Sequence, residues 1–173
     1  RHHYWHMDPL NPETTLALHE QLGFLYDASL TNDQYLGWRR GSSWPFFPLI
    51  QAERRELRTL QLPTSWMDSQ IFIQRAINSG DPQQTLRALA ERSAAQGGLL
   101  LINIHDYVFD PVLFPGWAEA FQLLWQYVAA RGDFWLATPA TIAAHWSERY
   151  LRLVDSSSGL DTLHALTPQN AAI

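Results

Sequence analysis

The sequence has no cysteine, so neither a disulfide framework nor a thiolate metal site is available to it. Basic residues are few: 12 Lys and Arg stand against 17 Asp and Glu, and the net charge is −5. That balance, without any basic stripe, argues against a nucleic-acid partner. No apolar run reaches the length of a membrane span, and no signal-peptide pattern is present. These absences leave the compartment open.

Apolar and aromatic side chains are what the chain has in quantity. Its 173 residues are 46% hydrophobic and include eight Trp, eight Phe and six Tyr. This is enough for one domain with a real core, and it excludes a disordered chain. Because the sequence begins at Arg1, without a methionine and inside a strand-like segment, we expect a fragment of a longer domain.

Short apolar runs alternate with helix signals along the chain. Strands are predicted over residues 1–7, 24–30, 57–68, 99–105 and 134–139, and helices over 12–22, 82–95, 115–130 and from Thr138 or Thr141 to Trp146. Asn11 before Pro12 and Asp81 before Pro82 are typical helix starts, and Gly97 is a typical helix end. This order predicts parallel β/α units. Five strands are too few for an eight-stranded barrel, so an open sheet or an incomplete barrel is expected.

The predicted strand over residues 99–105 ends in a histidine, His105. The carboxyl ends of parallel strands are where barrel enzymes carry catalytic groups, and an imidazole titrates near neutrality. The alternative is a histidine that is merely hydrogen-bonded at a strand end. Asp68, at the end of an earlier strand, could align His105 or could be a turn or cap aspartate.

The other histidines give a weaker signal. On a strand, His2 and His6 share one face and His3 takes the other, and two imidazoles without a nearby acid make a weak metal site. We therefore expect no metal ligands among them. The remaining three are expected to be ordinary surface or boundary residues: His19, His145 and His164.

Residues 31–53 are rich in Gly, Pro and Ser and predict a long loop, which is uncommon without a function. Arg39 could contact an acidic or polyhydroxylated glycan. Trp38 and Trp44 could stack on sugar rings or could pack the loop onto the fold. Trp125, on a predicted helix, is expected in the core.

Six segments in order carry a resemblance to a known family: RHHYWHMD, GFLYDASL, GWRRGSSWPFFP, LPTSWMD, LLLINIHDYVFDPVLFPGW and FWLATPATIAAHW. Over residues 1–146 their order and spacing resemble the C-terminal two-thirds of a polysaccharide deacetylase (NodB-homology) domain. The resemblance implies an α/β fold, a distorted (β/α) barrel of this type, incomplete at the N-terminus. The barrel would cover residues 1–150, and residues 151–173 would be a tail or the start of a truncated β region.

The resemblance also implies a function and site residues. The family hydrolyses non-peptide carbon–nitrogen bonds by metal-dependent deacetylation of N-acetylated polysaccharides or glycoconjugates. Arg1 matches the arginine that orients the base carboxylate, although the motif's proline is replaced, and Tyr4 matches the aromatic residue whose backbone N–H holds the oxyanion. Asp27 matches the acid of the next motif. His105 matches the general acid, and Ile102 replaces the leucine that lines the acetyl pocket.

The family's Asp-Asp and two-histidine motifs, which supply the base and the metal ligands, would precede Arg1. We therefore expect a divalent metal, with zinc favoured, in the parent protein and none bound tightly by this chain. Two alternatives remain: an amidohydrolase for small cyclic amides on the same fold, and a non-catalytic glycan-binding or scaffold module. A barrel cut before Arg1 would expose Tyr4 and Trp5 at a sheet edge, so self-association is expected.

Overall fold

The structure is a computed structural model, and it describes residues 1–2, 6–8, 10–32, 35–72 and 81–156. Internal contacts divide the chain into two compact units, Arg1–Leu136 and Ala137–Ile173. The first unit contains all the described strands, and the second contains one long helix. None of the described helices is long and apolar enough to cross a membrane.

Five α-helices lie in the described part of the chain: α1 (Pro12–Gln21), α2 (Asp68–Phe72), α3 (Pro82–Gln96), α4 (Trp117–Ala130) and α5 (Pro139–Ser156). The local signals for α3 act as predicted, because the Asp81 side chain accepts the Gln83 N–H and Gly97 ends the helix in the left-handed conformation. Asn11 takes the position before α1 but makes no side-chain cap. The Asp8 carboxylate instead accepts the backbone N–H of Asn11.

The described strands are short: β1 (Tyr26–Asp27), β2 (Leu49–Ile50), β3 (Arg55–Glu56), β4 (Leu60–Gln61), β5 (Thr64–Met67) and β6 (Leu101–Asn103). They form three two-stranded sheets, of which β1–β4 and β5–β6 are parallel and β2–β3 is antiparallel. β4 and β5 are separated by Leu62 and Pro63, and proline has no N–H to give to a ladder. The predicted interruption at Pro63 therefore lies between the two parallel pairs.

The larger core packs helices against one face of the β5–β6 pair. Its buried members are Trp66 of β5, Leu86, Leu89 and Ala90 of α3, and Ala120, Leu124 and Val128 of α4. Partly buried Ile102 and Ile104 pack against the same cluster. A parallel strand pair covered by helices is the expected α/β arrangement. Whether the described strands belong to a (β/α) barrel stays a prediction, and so does the domain boundary at residue 150.

Several local predictions are wrong. Residues 134–138 form no strand, and α5 begins at Pro139 and continues to Ser156, ten residues beyond the predicted end. Residues 1–2 and 6–8 lie in no strand, while residues 49–56 form the β2–β3 hairpin, although residues 49–53 were predicted as loop and no strand was predicted before residue 57. Trp125 is half exposed on α4, because its neighbours Leu124 and Val128 take the core side of that helix. His3, Tyr4, Trp5 and His164 lie outside the described residues.

Candidate functional site

The candidate site lies where two adjacent parallel strands end. Asp68 follows β5 directly and opens α2, and His105 follows β6 by two residues and precedes a short 3₁₀ helix (Asp106–Phe109). In the β5–β6 register Met67 pairs with Asn103, so both strands end at the same edge of the sheet. This is the edge at which parallel sheets carry functional groups.

The Asp68 carboxylate contacts His105 at two places. Oδ2 accepts the His105 backbone N–H at 2.7 Å, and the imidazole Nδ1 lies 3.0 Å from Oδ2 and 3.1 Å from Oδ1. Oδ1 also accepts the Ser69 N–H at 2.6 Å. Asp68 therefore both aligns His105 and bonds the start of its own helix, so the two roles that the sequence left open are combined in one side chain.

Burial makes this pair asymmetric. The Asp68 side chain is 2% exposed, whereas that of His105 is 28% exposed. A carboxylate only accepts hydrogen bonds, so Nδ1 is assigned the proton and Nε2 is the ring atom left to act on another molecule. A buried acid that holds one nitrogen of a reachable imidazole is one arrangement used in acid–base catalysis.

A row of aromatic rings extends from the imidazole. His105 stacks on Tyr107 with ring centroids 4.9 Å apart, Tyr107 contacts Phe114 at 5.1 Å, and Phe114 contacts Trp117 at 4.8 Å. Tyr107 and Phe109 are both about half exposed. The sequence gives no sign of this row, because ring contacts between residues several positions apart depend on how the loop after His105 folds.

Asp27 lies in a different group of contacts. Its carboxylate accepts the backbone N–H and the hydroxyl of Ser29, and the α-amino group of Arg1 lies 3.7 Å from Oδ1. Asp27 pairs with Gln61 on β4, whereas the His105 end of β6 lies beyond Met67. Gln61 and Met67 are six residues apart along the chain from β4 to β5. That spacing would be roughly 20 Å if the segment were a straight strand. The order of parallel β/α units predicts that Asp27 and His105 meet at the carboxyl edge of the sheet. No described contact joins the two residues, so this stays a prediction.

His19 was expected at the surface, and that expectation is wrong. It is 3% exposed, its Nε2 lies 2.5 Å from the Nε2 of His2, and its Nδ1 lies 3.7 Å from Asp27 Oδ1. Burial is the main cause that lowers the pKa of His19, and Asp27 opposes it. Leu16 and His19 are both buried and stand three residues apart on α1, so helical spacing was the signal that could have placed His19 inward.

The substrate-binding candidates divide into buried and exposed side chains. Trp38 is buried and its Nε1–H donates to Ser65 Oγ, so the interpretation of Trp38 as a sugar platform is wrong. Trp44 is partly exposed and donates to the Gln96 carbonyl oxygen, which attaches the loop to the end of α3. Arg39 is exposed. Ile102 is half-buried against the helix core.

Gln70 was not anticipated as part of this region. It is buried, its Oε1 accepts the Met67 N–H, and its Nε2 donates to the carbonyl oxygen of Asn32. These bonds attach the segment after β1 to the turn that carries Asp68. Nothing local in the sequence marks this residue, because its partner Asn32 lies 38 positions away.

The described residues contain no group of three or more His, Asp or Glu side chains that could hold a metal ion. The described side chains therefore do not fit, by themselves, the metal that the resemblance implies. Comparison with known proteins finds no matching family model, no matching characterised protein and no matching solved structure.

Proposed function

We propose that this chain supplies the proton-donating half of an amide-hydrolysing site. The parent protein would be a hydrolase that removes acetyl groups from an N-acetylated polysaccharide or glycoconjugate. The observation that supports this proposal is the Asp68–His105 pair at the carboxyl edge of β5 and β6. The resemblance of the sequence assigns the same histidine to proton donation.

The chemistry needs such a pair at one particular step. Water adds to the acetamide carbonyl carbon, and the tetrahedral intermediate then breaks its C–N bond to give acetate and an amine. The amine leaves only if its nitrogen gains a proton, which the Nε2–H of protonated His105 would donate. Asp68 would stabilise the imidazolium through Nδ1–H and hold the ring in place.

The metal ion, with zinc favoured, remains part of the proposal for the parent protein. Its ligands and the base would come from residues other than those described. The chain's own contribution is therefore limited to proton donation, alignment and substrate contact.

Substrate contact is proposed for the side chains that the fold leaves accessible. Tyr107 stacks on His105 and is half exposed, so a sugar ring placed against it would lie beside the imidazole. Arg39 on the long loop is exposed and could donate hydrogen bonds to hydroxyl or carboxylate groups of a glycan.

The experiment is an acetate-release assay on N-acetylglucosamine oligosaccharides, using the full-length protein that contains this chain. His105→Ala should lower kcat by about 10²–10⁴, the usual contribution of a positioned acid. His145→Ala is the matched control, because His145 is exposed on α5. Equal rates of acetate release by His105→Ala and by the unsubstituted protein would contradict the proposal. Hydrolysis of small cyclic amides instead, or glycan binding without hydrolysis, would favour one of the alternatives.

A further inference from the structure

Asn103 is the one polar residue in the apolar run that leads to His105. It ends β6, pairs with Met67 and is 9% exposed. Its Nδ2 is buried and has no hydrogen-bond partner among the described residues. Buried amide groups are nearly always hydrogen-bonded, so an unpaired one in a strand calls for an explanation.

The face of β6 on which Asn103 lies follows from strand alternation. Ile102 and Ile104 pack against the helix core around Trp66. Side chains alternate along a strand, so Asn103 takes the opposite face, which residue 105 would share if the alternation continued past the end of β6. Two residues of a strand span about 6.6 Å, so the Asn103 and His105 side chains start within reach of one small group.

The chemistry of the two side chains is complementary to a single amide. Asn103 Nδ2 is a neutral donor that suits a carbonyl oxygen, and His105 Nε2 suits the amide nitrogen two bonds away. A neutral donor at a buried position also avoids the cost of burying a charge. A hydroxyl group would satisfy Nδ2 equally well, but it would leave no atom in place for proton donation by His105.

We propose that Asn103 binds the acetamide carbonyl oxygen of the substrate through Nδ2, on the face of β6 opposite the helix core. This inference rests on the proposed function, because it takes the substrate class from there. It adds a binding group, Asn103, between Ile102 and His105. It also gives a functional reason for keeping an unpaired amide in a strand where an aliphatic residue would pack better.

The test uses the chain itself and two soluble oligosaccharides, one of N-acetylglucosamine and the other of the same length with every acetyl group removed. Nuclear magnetic resonance follows the Asn103 side-chain amide signals, identified by their loss in Asn103→Leu. The acetylated sugar should shift these signals and the deacetylated one should not. Asn103→Leu and Asn103→Asp, which both remove the donor, should weaken binding of the acetylated sugar at least tenfold.

Gln61→Met is the matched control. Gln61 is fully buried on β4 and its side-chain amide atoms also lack partners among the described residues, but it pairs with Asp27 and not with the His105 edge. Both Asn103→Leu and Gln61→Met should melt at the same or a higher temperature than the unsubstituted chain, since each removes a buried amide donor without a described partner. Only the Asn103 variants should lose sugar binding.

Several outcomes would overturn the inference: a chain that binds neither sugar, equal binding of both sugars, unchanged binding by Asn103→Leu, or a lower melting temperature for that variant. The proposed function fails separately. If the full-length protein releases no acetate while the Asn103 signals still respond to the acetylated sugar, the binding site stands without the hydrolase. If acetate is released and Asn103→Leu changes neither kcat nor KM, the hydrolase stands without this site.

Discussion

The Asp68 carboxylate accepts the backbone N–H of His105 and also faces the Nδ1 of its imidazole, so one buried group fixes both the strand end and the ring. The two residues are 37 positions apart in sequence. Their contact depends on the parallel pairing of β5 with β6, which brings both strand ends to the same edge. The fold and the candidate site are therefore coupled through this one hydrogen-bonded pair.

Asp68→Asn should reverse the tautomer of neutral His105. The amide oxygen can still accept the backbone N–H, but its NH₂ would face Nδ1 and force that atom to accept. The ring proton would then sit on Nε2, which imidazole ¹⁵N chemical shifts report directly. Acetate release by the full-length protein should fall about 10²–10⁴-fold, as expected for an acid that has lost its partner.

Asp110→Asn is the control for that variant. Asp110 is exposed, and within the described part of the chain its carboxylate accepts the N–H groups of Val112 and Leu113, in the loop after His105. It should leave the His105 signals unchanged. Asp68→Ala should cost about 1–3 kcal/mol of unfolding free energy because three donors lose their acceptor. An unchanged tautomer in Asp68→Asn would mean that the Nδ1 contact does not set the protonation of the ring.

Local signals in the sequence predicted the elements that they control directly. Asp81 and Gly97 bound α3 because a cap and a left-handed glycine act within a few residues. The apolar run before His105 predicted a strand over residues 99–105, and β6 (Leu101–Asn103) lies within it with helices packed against one face. Of the site, the strand-end position of His105 and a possible partner in Asp68 could be predicted.

The remaining features depend on contacts between distant segments. Trp125 is half exposed because packing of the whole helix, not residue type, decides which face turns inward. The segment 134–138 has the composition of a strand but pairs with no described strand. Gln70 and the unpaired amide of Asn103 could not be singled out, because a buried polar group is recognised only when its surroundings are known.

Glu20 should make the stability of this chain depend on pH in the acid range. The side-chain hydrogen bond from Arg55, followed by the backbone N–H of Arg58, lowers the pKa of Glu20 to about 2 from 4.5. Because the pKa is lower in the folded state, the stabilisation is fully present above pH 4.5 and is lost as the pH falls toward 2. In the unsubstituted chain, the urea concentration at the unfolding midpoint should fall as the pH is lowered through this range. The part of that fall due to Glu20 should be absent in Glu20→Gln. Glu119→Gln, on the exposed first turn of α4, should keep the parent's profile.

The isolated chain should not bind zinc tightly. Calorimetry should give a dissociation constant above about 1 μM, which corresponds to a binding free energy smaller than about 8 kcal/mol. Structural zinc sites typically bind with roughly 10–16 kcal/mol. Among the histidines that the structure describes, His2 and His19 have their Nε2 atoms in contact and offer two ligands at most. Tight one-to-one binding that disappears in His19→Gln would contradict this prediction and would place a metal on that pair.

The β1 edge should make the chain self-associate. Among the described strands β1 pairs only with β4, and the residue before it, Leu25, is 79% exposed beside the half-exposed Phe24. An apolar strand edge is a template for pairing with another chain, and a charge on it opposes such pairing. Sedimentation should therefore show concentration-dependent dimers or larger species, and Leu25→Lys should shift them toward monomer.

The Leu25 carbonyl oxygen, which accepts the Leu60 N–H, is kept by this change, so the β1–β4 pair should persist. Leu151→Lys, at an exposed leucine on α5, should leave the association unchanged. If the unsubstituted chain sediments as a monomer at all concentrations, this edge is covered within the chain itself.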